Sequence, residues 1–287
     1  MKRLIVNADD FGFTRGVNTG IVRAFTEGIL TSTTLMANGE AFDHAIALVR
    51  ENPALGVGCH LAAVGGKAIS GEANHLASDD GSLPKTLTEL IMKLARRAIR
   101  SSDIEREFAA QVERVIAAGI RPTHLDTHKH TAIHPAVMQA LARVANDFNI
   151  RRIRFPFEMS GHAAKGRISR ARKKIYFKQR AVSLVTTVAA RQFRNVARKY
   201  ALQMPDFFRG VALTGLLDSE AVCNVILSLR EGTTELMCHA GLYDNELEHG
   251  ATRLKRERQQ EFEALLDSKV KKQIEEQGIA LINYGEL

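Results

Sequence analysis

Residues 3–12, RLIVNADDFG, run apolar for the length of a strand and then stop on two adjacent carboxylates, Asp9 and Asp10, with Gly12 close behind to relax a turn. Neighbouring carboxylates repel each other and lose hydration when partly buried, so the pair calls for either plain turn chemistry or a cation. Outward from this stretch the pattern repeats. Val17–Glu27 has helical spacing, TSTTLMAN (31–38) reads as a strand, Ala41–Glu51 as a helix and LGVGCHL (55–61) as a third strand. Further helices are predicted over Thr86–Arg100, from a capping box at Ser102 and Glu105 to Ala118, and over Pro135–Asn146, Ser219–Arg230 and Arg253–Gln277. THLDT (123–127), IRRIRFP (150–156), FRGVALTG (208–215), TELMCHAG (234–241) and IALINYG (279–285) complete the strands. Such alternation implies an α/β fold with parallel strands and outer helices, and seven or eight units favour a closed or nearly closed barrel over an open sheet. In either architecture, functional groups gather beyond the carboxyl ends of the strands.

The chain has 287 residues, 45% of them apolar and 25% charged, which is enough to bury a core of its own. Lys2 and Arg3 precede an apolar run too short for a secretory signal, and the uncharged stretch 181–190 is too short to span a bilayer. Three cysteines (Cys59, Cys223, Cys238) make no disulfide framework. The expectation is a cytoplasmic chain forming a single domain over residues 1–287. Its net charge of +8 is unevenly placed: between Met159 and Pro205 stand twelve Lys and Arg residues and no acid, so the remainder is net acidic. Within this basic insert, at about 160–205, Val182, Val185, Ala189, Phe193, Val196 and Tyr200 recur at helical spacing. The insert reads as an amphipathic helix that either packs on the body or meets an anionic surface, a membrane or glycolipid, which would place the protein at the membrane periphery. Nucleic acid is not expected, because the insert has few aromatic residues and the body is acidic.

The polar residues that stand out fall at predicted strand ends: Asp9 and Asp10, His60, Asp126, His128 and His130, Arg154, and His239. Four of the ten histidines share the stretch 124–134. A borderline divalent cation takes imidazole nitrogen and carboxylate oxygen and leaves a position open for water, whose pKa it lowers. Asp10, His60 and His128, from three strands, are the candidate ligands, with Asp9 as the adjacent proton acceptor. Residues two apart on a strand face the same side, so His130 rivals His128. By the same alternation Cys59 and Cys238 point away from the site.

The motifs NADDFG, TSTTLMANG, GVGCHL, PTHLDTHKH, RFPFE and MCHAG, in this order and spacing, resemble those of the YdjC-like carbohydrate deacetylases over nearly the whole chain outside the basic insert. The resemblance implies a deformed α/β barrel and a divalent-metal site, Zn²⁺ or Mg²⁺, that removes an N-acetyl group from an amino sugar in an oligosaccharide or glycolipid. It implies that Asp10, His60 and His128 are the metal ligands, Asp9 the base and His239 the histidine that assists as acid. Asp126, His130 and Arg154 would then orient ligands or substrate, and family precedent suggests a homodimer. The alternatives are a metal-dependent phosphoester hydrolase, with arginines holding phosphate, and a non-catalytic barrel that binds a sugar or lipid.

Overall fold

The computed structural model of the protein describes residues 1–71, 75–158 and 187–287. The opening stretch forms β1 (Lys2–Phe11), buried from Leu4 onward. Thr14 caps the helix that follows, α1 (Arg15–Thr26), its hydroxyl accepting from the Val17 N–H, and the helix buries Val17, Ile21 and Ala24 on the sheet. The unit then repeats through β2 (Ser32–Leu35), α2 (Phe42–Glu51) and β3 (Gly56–Leu61). Next come α3 (Leu87–Ala95), α4 (Ser101–Ala117), β4 (Leu125–Thr127), a 3₁₀ segment (His128–Ile133) and α5 (Pro135–Asp147). The last third holds α6 (Thr187–Lys199), β5 (Phe207–Arg209), α7 (Ser219–Leu227), β6 (Gly232–Cys238), α8 (Asn245–His249), α9 (Arg256–Leu266), α10 (Ser268–Glu276), β7 (Ala280–Leu281) and a C-terminal 3₁₀ turn (Tyr284–Glu286).

Among the described residues the strands pair in parallel in the order β4-β3-β2-β1-β6-β5, with β7 beside the first residues of β1. The sheet curls into a half-barrel, and past β4 its rim continues only as isolated bridges, Leu125 to Ile153 and Arg152 to Gln203. β1 to β4 and β6 are buried along nearly their whole length, as parallel strands covered by helices must be. Parallel register brings every carboxyl end to one rim. His60 sits opposite Asp126, and Ala8 opposite Cys238, so Asp9, Asp10, His60, Asp126 and His239 rise together.

Several boundaries differ from the sequence reading, each for a local reason. The helix expected over 253–277 is two, because Asp267 adopts an extended backbone and its carboxylate accepts from the Lys269 N–H to start α10. The cap of α4 lies earlier than Ser102 and Glu105: the Asp103 carboxylate accepts from the Arg100 N–H at 2.8 Å. α3 ends at Ala95, with Arg97 in the left-handed region (φ 57°). The strand expected over 208–215 stops at Arg209, where Gly210 takes φ 124° and a Cβ there would stand 2.3 Å from the Met237 carbonyl oxygen. Residues 150–156 make bridges rather than a full strand.

Most of the basic insert, with Val182 and Val185, lies outside the described residues. Its described portion, α6, turns Phe193 inward against Phe155 and Phe157, at ring separations of 5.8 and 5.4 Å, and sets the Arg194 guanidinium 4.4 Å from the Phe155 ring centre. Arg191, Arg198 and Lys199 stay exposed. The apolar stripe of α6 is thus spent on packing against the body. No helix among the described residues is long and apolar enough to cross a membrane. Cys59 and Cys238 are buried free thiols, and the Cys238 thiol donates to the Asn7 carbonyl.

His124, one of the clustered histidines, is a packing residue: it is fully buried and stacks on Tyr284 at 3.6 Å with the rings 9° from parallel. Gly58 makes room for it, since a Cβ there would lie 2.5 Å from His124 Cε1. Gly58→Ala is therefore expected to lower the unfolding free energy by roughly 1–3 kcal/mol in urea titration, the cost of overpacking. Phe193→Ala is expected to cost about 3–5 kcal/mol in the same measurement if α6 is anchored as described.

Candidate metal centre and carboxylate cluster

The two adjacent aspartates reach the same rim because the backbone departs from the extended conformation at Asp10. Asp10 sits in the left-handed region at φ 68°, which Asp tolerates better than most residues, and Gly12 follows at φ 94°. The turn is held by the Phe13 N–H on the Asp10 carbonyl at 3.1 Å and the Gly12 N–H on Asn18 Oδ1 at 2.6 Å. A non-glycine residue held at positive φ at the end of a strand marks a functional site more often than a simple connection. Asp9 consequently faces Arg154, and Asp10 faces two imidazoles.

Asp10 Oδ1 lies 3.0 Å from His128 Nδ1 and 3.4 Å from His60 Nε2, and these two nitrogens are 3.3 Å apart. The three ligand atoms lie within 4.8 Å of one another. Asp10 Oδ1 is buried and accepts no aligned hydrogen bond, while Oδ2 takes the Arg258 Nη2–H at 2.5 Å. Arg258 therefore leaves one carboxylate oxygen available, directed at the point where the imidazoles converge. His60 is oriented from behind, with Nδ1 2.6 Å from Asp126 Oδ1 and 3.2 Å from the Thr34 hydroxyl. A carboxylate behind an imidazole fixes the tautomer that offers the other nitrogen to a cation. Burial lowers the affinity of His60 for a proton, but Asp126 and Asp10 outweigh it and push the pKa up to about 10. This N/N/O donor set, with its orphaned oxygen, fits a divalent cation.

His130 does not join this group. Lys129 and His130 occupy consecutive left-handed positions (φ 53° and 51°), which swings His130 edge-on to Phe208 at 5.8 Å. Burial lowers its pKa to about 3, aided by Arg154. Of the two rivals, the structure brings His128 to Asp10 and His60. His134 instead caps α5, its Nδ1 accepting from the Ala136 N–H.

Asp9 is gripped at both oxygens by the Arg154 fork, Nη2 to Oδ1 at 2.6 Å and Nη1 to Oδ2 at 2.8 Å. The same guanidinium ion-pairs with Asp126 at 2.6 Å and gives its Nε–H to Glu235 at 2.8 Å. Burial alone would raise the Asp9 carboxyl, but Arg154 holds it well below the usual carboxylate range. Asp10 is lowered in the same way against burial by Arg258 and His128. His239 stands just past β6, its N–H on Glu261 Oε2 at 2.6 Å, and burial lowers its pKa to about 4, so the ring is neutral at neutral pH. Glu235 and Glu261 are pushed up to about 7, chiefly by burial. Asp9, Asp10, Asp126 and Glu235 thus meet two buried guanidinia, Arg154 and Arg258, with the His60 imidazole among them.

Arg258, Glu235, Glu261 and Tyr284 are absent from the sequence reading. Arg258 and Glu261 sit in a charged run that looks like a solvated helix face. They are three residues apart, and both are 1% exposed beside the buried Phe262 and Leu265, so the apolar spacing of α9 was the available signal.

The YdjC-like protein family model matches residues 3–276. A carbohydrate deacetylase of Geobacillus stearothermophilus is 32% identical over 283 residues, covering 98% of this chain and 96% of that protein. A chitooligosaccharide deacetylase of Salmonella typhimurium is 45% identical over 143 residues, half of this chain (50%) and 55% of that protein. Among solved structures, a protein of Enterococcus faecalis V583 named for cellobiose-phosphate cleavage superposes with a TM-score of 0.76 at 23% identity, covering 99% of this chain and 98% of that one, which supports the fold. With the family model and a full-length relative agreeing across an α/β half-barrel that gathers its histidines and aspartates at one rim, the chain belongs to the YdjC-like protein family.

Proposed function

We propose that the protein is a metal-dependent deacetylase that hydrolyses the N-acetyl group of an amino sugar. The observation that carries this reading is the convergence of Asp10 Oδ1, His60 Nε2 and His128 Nδ1, with the Asp9 carboxylate beside them on Arg154 and within 4.8 Å of His60. The substrate class follows from relatives named as deacetylases of carbohydrates and chitooligosaccharides. A divalent ion held by Asp10, His60 and His128 would supply Lewis-acid polarisation of the acetamide and a water of lowered pKa.

The chain's own residues account for the proton transfers. Arg154 keeps Asp9 ionised and aimed as the acceptor of the attacking water's proton, while lowering its basicity. Expulsion of the sugar amine needs a proton, and His239, just past β6, is our candidate for delivering it. Because His239 is neutral at rest, the proton it donates must be acquired during turnover, with Asp9 and Asp10 stabilising the imidazolium. Asp126 holds the His60 ring so that its Nε2 stays available. Amide hydrolysis is favoured over phosphoester hydrolysis by the relatives named as deacetylases, and Arg154, 2% exposed, has its guanidinium committed to Asp9, Asp126 and Glu235 rather than free to hold phosphate.

The test is acetate release from N-acetylglucosamine oligosaccharides by Zn²⁺-loaded protein. Asp9→Asn is expected to lower kcat by about 10²–10⁴-fold, the usual contribution of a general base, while calorimetric Zn²⁺ affinity is retained. Phosphate release from sugar phosphates in place of acetate would overturn the proposal. His128→Ala is expected to weaken Zn²⁺ binding by at least about a hundredfold, the upper end of what losing an outer-sphere partner costs, and unchanged affinity would remove His128 from the ligand set.

A further inference from the structure

Behind Arg154 lies a second layer of buried polar groups with no part in the chemistry above. Glu235, fully buried on β6, accepts the Arg154 Nε–H at 2.8 Å with one oxygen and the Tyr284 hydroxyl with the other. Tyr284 reaches it from the far end of the chain. It is fully buried in the C-terminal 3₁₀ turn, its N–H on the Ser32 hydroxyl at 3.0 Å and its ring stacked on His124 at 3.6 Å. The turn is itself capped by Asn283, whose side chain accepts from the Gly285 N–H at 2.7 Å.

We propose that Tyr284 and Glu235 are a pair of positioning residues that orient the Arg154 guanidinium and through it aim the Asp9 carboxylate. This inference rests on the deacetylase reading of the site. The guanidinium is planar, so fixing its one Nε–H fixes the plane and direction of both Nη groups, and those carry Asp9. The Arg154 backbone is tied to β4 by its N–H on the Leu125 carbonyl at 3.1 Å, so the direction of its long side chain is set by the carboxylates around the guanidinium, Glu235 at Nε and Asp126 at Nη1. The Tyr284 hydroxyl in turn selects the Glu235 orientation that keeps its other oxygen on Arg154. Four groups from distant parts of the chain therefore form one line: Tyr284, Glu235, Arg154 and Asp9. A buried carboxylate on a central strand is costly where an apolar residue would pack, and a role in fixing geometry accounts for its presence.

The experiment uses full-length Zn²⁺-loaded protein with N-acetylglucosamine oligosaccharides, comparing Tyr284→Phe and Glu235→Gln in the wild-type and Asp9→Asn backgrounds. In the wild-type background each change is expected to lower kcat by roughly ten- to a hundredfold, as for a misplaced reacting group, with KM and Zn²⁺ affinity unchanged. In Asp9→Asn, where there is no base left to aim, Tyr284→Phe is expected to have no further effect on single-turnover rates. Folded Tyr284→Phe protein with full kcat would overturn the inference, as would an equal loss of rate in both backgrounds, since a purely structural role acts without reference to Asp9. Should Glu235→Gln fail to fold, Tyr284→Phe, which removes a single oxygen, carries the test. Wild-type protein that releases no acetate would overturn the deacetylase reading and this inference with it, whereas active wild type with an unaffected Tyr284→Phe overturns this inference alone.

Discussion

Arg154 is buried at the centre of the half-barrel with Asp9, Asp126 and Glu235 around it, and most of the site's order traces to that one cation. Each carboxylate taken out of water costs several kcal/mol unless its charge is met nearby. Arg154 meets three of them with one planar group, and two of the three have separate parts in the proposed reaction, Asp9 as proton acceptor and Asp126 as the group that orients His60.

Asp10 belongs to a different local balance. Its partner is Arg258, brought from α9 and held over the Phe13 ring at 5.6 Å, and this pairing occupies one oxygen while exposing the other to His60 and His128. That both neighbouring aspartates face the site, each with its own guanidinium, depends on the left-handed turn at Asp10. Were residue 10 extended like the rest of β1, strand alternation would send the two side chains to opposite faces of the sheet. The backbone exception lets both reach the same rim.

The basic insert is the part of the chain where composition says least about function. Its charge density suggests an anionic surface, yet the described portion, α6, spends its apolar stripe on Phe155 and Phe157. An amphipathic pattern is the same whether its apolar face meets a protein or a membrane, so periodicity alone leaves the two apart only by context.

Much of the fold and of the candidate site was legible in the sequence. The run 3–12 and the two αβ units after it determined parallel strands, because hydrophobic alternation at strand length between amphipathic helices allows little else. Asp9, Asp10, His60 and His128 were visible because parallel strands deliver their carboxyl-end residues to one rim whatever the detail of the packing. The sequence named His128 as the ligand but left His130 as its rival, since the difference turns on two consecutive left-handed residues, Lys129 and His130, in a segment whose composition permits either. Not visible were Arg258, Glu235 and Tyr284, whose roles arise from contacts across 248, 81 and 49 residues of chain. The sequence by itself determined which residues stand at strand ends, a property of local periodicity. Only the tertiary structure decided which buried charges meet, because charge pairing depends on distances in space that no spacing along the chain encodes.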